Sequence, residues 1–377
     1  MLHVKPISSL ADLSSLLGQW NLLTEKVPFR QWQWLVPWWK HYGNEDQLYV
    51  LAVYLDETEK TLVGIAPWYL REERGKGRTI RFLGDGEVCT DYQAILVQPN
   101  HQQEVSQTLA MWLTERASSA ESRWNWDLLE FEGCITSEIT LTHFFEELEG
   151  LGNSVDFTEG EHCWRITLPD DWEAYLAMQS KSHRKQIRRS KKHHLDTKKA
   201  VLKTADSKET FDRYWEVFVE LHQKRRKSLG EEGCFTSPRF SGFLREAAEL
   251  FFGEEQLGLY VVEYEKVPIA VDFHLLGNQV SYAYQSGIDP DSLSLEPGRL
   301  VNVAMIEKAI LEGNTGYDFM RGDEPYKKHF RAEPLQSATY RVFPDKASAQ
   351  IRRNIWKASE KVKTWIKSGF SSVGLGE

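Results

Sequence analysis

At 377 residues the chain is longer than one ordinary core supports, so two domains are expected. A hydrophobic content of 41% with 27% charged residues is that of a folded globular protein, and the net charge of −9 argues against wholesale nucleic-acid binding, though not against a local basic patch. Cys89, Cys134, Cys163 and Cys234 lie far apart without a CxxC pair, which gives no signal for a zinc site or a disulfide scaffold. The opening MLHVKPISSLADL lacks the pattern of a signal peptide and no apolar run is long enough to span a membrane, so a cytoplasmic chain without a transmembrane segment is expected.

Strand-like runs begin at QLYVLAVYL (47–55) and TLVGIAPWYL (61–70), which read as a hairpin. A strand is predicted at DYQAILVQP (91–99), a helix over 104–117, a strand at WDLLEFEG (126–133), a helix around Glu138 to Leu151 and a strand at CWRITL (163–168). Helical segments follow at 170–200, 209–229 and 238–252. The second half repeats the element order of the first: a hairpin from QLGLYVVEYE (256–265) and VPIAVDFHLLG (267–277), a strand QVSYAYQSGI (279–288), and a helix over 297–313 with Pro297 at its start and Gly313 as its cap. A strand at 316–320, a short helix or loop at EPYKKHF and a last strand at 337–343 complete it. Both halves thus read β-β-β-α-β-α-β, which predicts an α/β fold of two similar mixed-sheet domains. The predicted boundaries are 1–168 and 169–345, with a helical insertion at 170–252 and a helical tail at 346–377. In the tail Ile351, Ile355, Val362, Trp365 and Ile366 recur at helical spacing, and the final SSVGLGE is expected to fray.

Four stretches carry a family resemblance: PFRQWQWLVPWWKHYG (28–43), FLGDGEVCTDYQAILVQP (82–99), SKSHRKQIRRSKKHHL (180–195) and YAYQSGIDPDSLSLEPGRLVNVAMIEKAILEGNTGYDFMRGDEPYKKHF (282–330). Together they resemble the GNAT acyltransferases of the double-domain kind, in particular the CelD-like proteins associated with cellulose and exopolysaccharide biosynthesis. The architecture also resembles the Fem-type peptidyl transferases, which use aminoacyl-tRNA. The resemblance implies two tandem GNAT-like domains and an acyl-CoA, such as acetyl-CoA, as co-substrate, with no metal. The implied reaction is N-acylation of an amino group on a sugar or a cell-envelope precursor, the acceptor being a small molecule or a glycan- or lipid-linked one. The rival expectations are a Fem-type transferase and a non-catalytic glycan-binding protein.

The candidate site residues follow. A helix N-terminus attracts phosphate, so Pro297, Gly298 and Arg299, with Tyr284 on the preceding strand, are the expected carrier-binding residues. The stretch departs from the family's basic residue followed by a Gly-x-Gly/Ala turn, because Glu296 stands there. Strand alternation puts Asp272 and His274 on one face, where either can take a proton from an amine; a merely solvated face is the alternative. In a GNAT sheet the ligand enters between the fourth and fifth strands, and YDFMRGDEPYKKHF leaves the fifth there. Asp318, Asp323 and Tyr326 are thus expected to be catalytic, with Arg321 and Lys327 binding substrate; Asp323 as a helix cap is the alternative. The resemblance places Asp91 and Tyr92 at the acceptor cleft between the domains, although Asp91 reads equally as a turn cap. The basic run at 181–199 is read as a solvated face or as a site for an anionic ligand, and DNA is not an expected partner.

Overall fold

In the computed structural model the described residues are 2–117, 119 and 122–372, the last thirteen of these as backbone only. The first half contributes strands β1 (His3–Ile7), β2 (Gln47–Leu48), β3 (Val50–Tyr54), β4 (Leu62–Ala66), β5 (Trp68–Glu73), β6 (Gly77–Phe82), β7 (Leu96–Val97), β8 (Leu128–Ile135) and β9 (Ser154–Thr167). The second contributes β10 (Ala200–Thr204), β11 (Leu257–Tyr264), β12 (Val267–Gly277), β13 (Val280–Ile288), β14 (Gly316–Arg321) and β15 (Glu333–Phe343). Four of them form a small sheet ordered β1-β3-β4-β7. The other eleven form one continuous sheet, ordered β10-β11-β12-β13-β14-β9-β15-β8-β6-β5-β2.

The order of that sheet shows an exchange. β6 runs parallel to β8, and β13 runs parallel to β14, with a helix crossing over in each case: Gln102–Ala117 in the first half and Pro297–Leu311 in the second. The strand that follows each pair then leaves its own half. β9 pairs antiparallel with β14, and β15 pairs antiparallel with β8. β9 and β15 pair with each other from Ser154 opposite Phe343 to Arg165 opposite Glu333. The mixed α/β fold expected from sequence is therefore present as two similarly ordered halves that each lend a strand to the other.

Several expected elements differ in detail. The run 61–70 is two strands, because Pro67 carries no N–H for a ladder and the chain passes there from the small sheet to the large one. The run 91–99 holds only β7; the hairpin expected from 47–55 and 61–70 is present as β3 and β4, and the strand missed is β6, which pairs with β5 and β8 and whose Arg78 and Arg81 hid it. Arg81 is buried against Glu73 and Glu130, so its charge faces the interior only because it is paired. The segment 170–200 is not one helix: Trp172–Met178 and Lys181–Ser190 are helical, Lys191–Leu195 is a π turn, and β10 begins at Ala200. The strand expected at 163–168 is the end of a 14-residue strand. The fraying expected of the last residues falls outside the described part from residue 373 on.

The Trp-rich opening forms the helix Trp32–Tyr42, and it packs between the halves rather than in either. Trp34 meets Phe243 and Tyr284 edge to face, at ring distances of 4.8 and 5.0 Å, and donates its indole N–H to Thr90 Oγ1. The strand exchange has an energetic consequence as well. Val342, from the last strand of the chain, is fully buried in the core of the first half. Val342→Ala should lower the unfolding free energy by about 2 kcal/mol. Hydrogen exchange should show the loss in the amides of β8 as much as in β15; a loss confined to the second half would contradict a shared core.

Candidate active site

β13 and β14 are paired for three residues only, Val280–Tyr282 opposite Gly316–Asp318. Beyond that they diverge. One cause lies on β13, where the ladder to β12 slips between Phe273 and His274, so that Tyr284 is an extra residue in a bulge. The other lies on β14, where Met320 has a φ of 60° and turns the strand away.

Two cavities fill the divergence. The larger, about 590 Å³, opens at the start of the Pro297 helix between Pro297, Gly298 and Arg299 on one side and His183, Arg225 and Arg226 on the other. Nothing lies within 4 Å of the place a Gly298 side chain would occupy. Burial and the neighbouring Arg299 push the His183 imidazole below its ordinary pKa, which favours its neutral form. The smaller cavity, about 240 Å³, reaches the first half at Val88, Cys89 and Asp91. Asp272, Ser286, Asn302, Glu324, Tyr326 and Arg226 line both, so the two adjoin. A third cavity of about 540 Å³ lies behind the helix start, where Arg189, His193, His194 and Lys199 of the basic run face Glu296 and Arg299. Glu296 is not free to repel an anion there, since it is paired with Arg299 at 2.6 Å.

Asp272 and His274 do meet. Asp272 is 4% exposed and lies in the wall shared by the two cavities. His274 is wholly buried behind it, with Nδ1 2.8 Å from Ser281 Oγ and Nε2 3.5 Å from the Asp272 carboxylate, close but without a hydrogen bond. Tyr326 stands across the opening against Phe319, and burial together with the Glu324 and Asp272 carboxylates pushes its phenol up. Such a phenol holds its proton at neutral pH.

The other expected residues sit elsewhere in the chemistry. Asp318 is fully buried: one oxygen accepts from Arg165 Nε at 2.8 Å and from the Tyr92 hydroxyl, the other from the Met320 N–H at 2.7 Å. Burial and that carboxylate raise the Tyr92 phenol far above its usual range. Asp91 and Arg321 pair with each other, and the Arg321 N–H also goes to Asp91. Burial pushes the Asp91 carboxyl up, against the pull of Arg321. Asp323 does not cap the short helix Tyr326–His329; it accepts from Trp164 Nε1 and lies 2.9 Å from His162 Nδ1. Although burial works the other way, these donors hold it below the usual carboxylate range. Lys327 was expected to hold an anionic part of the substrate. Its ammonium is instead 2% exposed and donates to the carbonyls of Met320, Arg321 and Gly322, with Glu324 at 2.8 Å. Tyr284 reaches toward the first half, donating its hydroxyl to the Val88 carbonyl rather than facing the larger cavity. Sequence reasoning missed Arg165, Arg226, Gln285 and Asn302. Arg165 had a signal, a lone cation inside an otherwise strand-like CWRITL; the others had none.

Residues 181–328 match the family model described as an acetyltransferase (GNAT) domain, so the second half carries a GNAT-type domain. Among solved structures, FemX superposes with a TM-score of 0.62 at 10% identity, over 90% of this chain and 96% of that one. A conserved protein of unknown function from Bacteroides thetaiotaomicron gives 0.51 at 15% identity, over 91% and 100% of the two chains. The C-terminal domain of a putative lysylphosphatidylglycerol synthetase from Agrobacterium fabrum gives 0.53 at 9% identity, over 90% and 95%. At these identities the likeness is one of fold. A comparison with curated protein sequences finds no match.

The Lys327 environment is testable without a substrate. Lys327→Met keeps the bulk but strands three carbonyls, so urea denaturation should show a loss of about 3 kcal/mol. An unchanged midpoint would mean that the ammonium is not a structural donor.

Proposed function

We propose that this protein is an acyltransferase that moves an acyl group from a coenzyme A thioester to an amine. The observation that carries the proposal is that two cavities meet at the diverging strands β13 and β14, with Asp272 in their shared wall. The larger cavity suits the carrier. It is of ordinary ligand size, and Arg299 at a helix start, with Arg225 and Arg226 from the last turn of the helix Lys208–Ser228, suits a pyrophosphate. The basic third cavity next to it suits further phosphate. The smaller cavity, bounded by both halves, suits the acceptor.

In this reading the acceptor amine gives a proton to Asp272 and its lone pair attacks the thioester carbon. Backbone N–H groups at the Tyr284 bulge take the developing oxyanion. As the C–S bond breaks, the surplus proton on the new amide nitrogen passes through the Tyr326 hydroxyl to the leaving thiolate, so that Tyr326 ends protonated. His274 steadies Asp272 from behind. The chemistry needs no covalent enzyme intermediate. The finer assignment is N-acylation of an amino sugar in a polysaccharide or cell-envelope precursor, in the manner of CelD-like proteins and in the cytoplasm, where coenzyme A thioesters are available. The family resemblance supports it, together with the polar lining of the smaller cavity.

Titration calorimetry with acetyl-CoA should show binding to the parent protein and its loss in Gly298→Glu, whose side chain would enter the larger cavity. Binding to neither protein would overturn the donor assignment and favour an aminoacyl-tRNA donor or a binding-only protein. Asp272→Asn should leave the melting temperature and coenzyme A affinity in place and cut turnover of an amine acceptor by roughly 10²–10⁴-fold. Parent-like turnover would remove Asp272 from the mechanism.

A further inference from the structure

The helix Ala347–Ser372 presents its faces in the reverse of the usual order. An amphipathic helix on a globular protein turns its apolar side inward. Here the inward residues are Arg352, Arg353, Trp356 and Lys357. Arg353 binds Asp156 through two hydrogen bonds of 2.6 and 2.9 Å, Lys357 meets the same carboxylate at 2.8 Å, and Arg352 meets Asp127 at 2.9 Å. Trp356 lies against Phe343 with the Arg341 guanidinium over its ring. The outward face is Ile351, Ile355 and Ala358, all exposed, with the two isoleucines at 60% and 65%. The sequence continues this spacing at Val362, Trp365 and Ile366.

We propose that this helix lies on the surface of a membrane rich in anionic lipid, with its outward face in the headgroup layer and the body of the protein behind it. Charge selects this occupant. Residues 347–372 carry six Lys or Arg against one Glu, in a chain whose net charge is −9; Arg352, Arg353 and Lys357 are paired with Asp127 and Asp156, and Lys361, Lys363 and Lys367 follow in the sequence among the apolar Val362, Trp365 and Ile366. Two copies of so basic a helix repel each other, which disfavours a dimer through this face. An anionic surface attracts it, and adds to the gain from burying the isoleucines. Among the described residues no helix is long and apolar enough to cross a membrane, so the geometry is that of a helix lying flat. The protein would then work beside a bilayer, where lipid-linked substrates are found.

The test needs no substrate and is independent of the acyltransfer reading. The full chain is mixed with phosphatidylcholine vesicles, with and without phosphatidylglycerol, and floated on a density gradient. Binding should require phosphatidylglycerol, weaken as salt rises and fall at least roughly tenfold in the double variant Ile351→Glu, Ile355→Glu. Both positions are exposed, so the variant should keep the parent melting temperature. Equal binding of parent and variant, or no binding to anionic vesicles, overturns the proposal. So does a dimer in solution that the same double variant dissolves, because a second copy would then cover the face.

Discussion

A strand edge that faces a cavity instead of a neighbour must still satisfy its backbone polar groups, and the end of β14 meets this demand with side chains. Past Asp318, β14 no longer has β13 beside it. The Met320 N–H goes to Asp318, the Arg321 N–H to Asp91, and the Gly322 N–H to the His162 carbonyl. The carbonyls of Met320, Arg321 and Gly322 all accept from Lys327. Each carboxylate stands where a strand carbonyl would accept, and the ammonium stands where strand N–H groups would donate. The dense set of ionisable residues after an apolar strand thus has a structural origin. It replaces a missing ladder.

The same groups join the halves. Asp91 and Tyr92 come from the first half and meet Arg321 and Asp318 of the second, while Arg165 on the exchanged strand β9 closes the set. Its guanidinium also lies 5.0 Å from the Tyr92 ring centre and 5.5 Å from that of Tyr282. Removing one partner of such a buried set leaves an unpaired charge, which costs more than the pair contributes. The exchange of β9 and β15, the tryptophan helix between the halves and this ion network all fix the distance across which the smaller cavity opens. The cavity is therefore a property of the whole chain, not of the GNAT-type half alone.

Element order was legible because it rests on local pattern. The repeat of hairpin, strand, helix and strand followed from alternation, from Pro297 and Gly313, and from the lengths of the apolar runs. What a single sequence does not carry is the partner of each strand. CWRITL reads the same whether it completes its own sheet or crosses to the other half, so the exchange was invisible. β6 was missed because Arg81 looks like a solvent residue until Glu73 and Glu130 are brought to it from other strands. In the site, the pairing of Asp272 with His274 followed from strand alternation. The neighbourhood of Lys327 did not, since a lysine beside a tyrosine and an acid gives no sign that its ammonium will be buried under three carbonyls. Arg226 lies in the basic last turn of a long helix, where only the fold shows that it faces a cavity.

The acids near the cleft can be separated by what already binds them. A carboxylate whose oxygens already accept strong donors has little hydrogen-bonding capacity left for an incoming substrate group. Asp318 accepts from Arg165, Tyr92 and a backbone N–H; Asp91 is held by Arg321; Asp323 is held by Trp164 and His162; Glu324 lies against Lys327. Asp272 has only the edge of the His274 ring, at a distance too long for a hydrogen bond. It is also the acid that touches both adjoining cavities while nearly withdrawn from bulk water. A group so placed has hydrogen-bonding capacity that the fold itself has not used. An incoming cation would supply both the hydrogen bond and the opposite charge that Asp272 lacks in the free protein, and so would be drawn to the point where the two cavities meet.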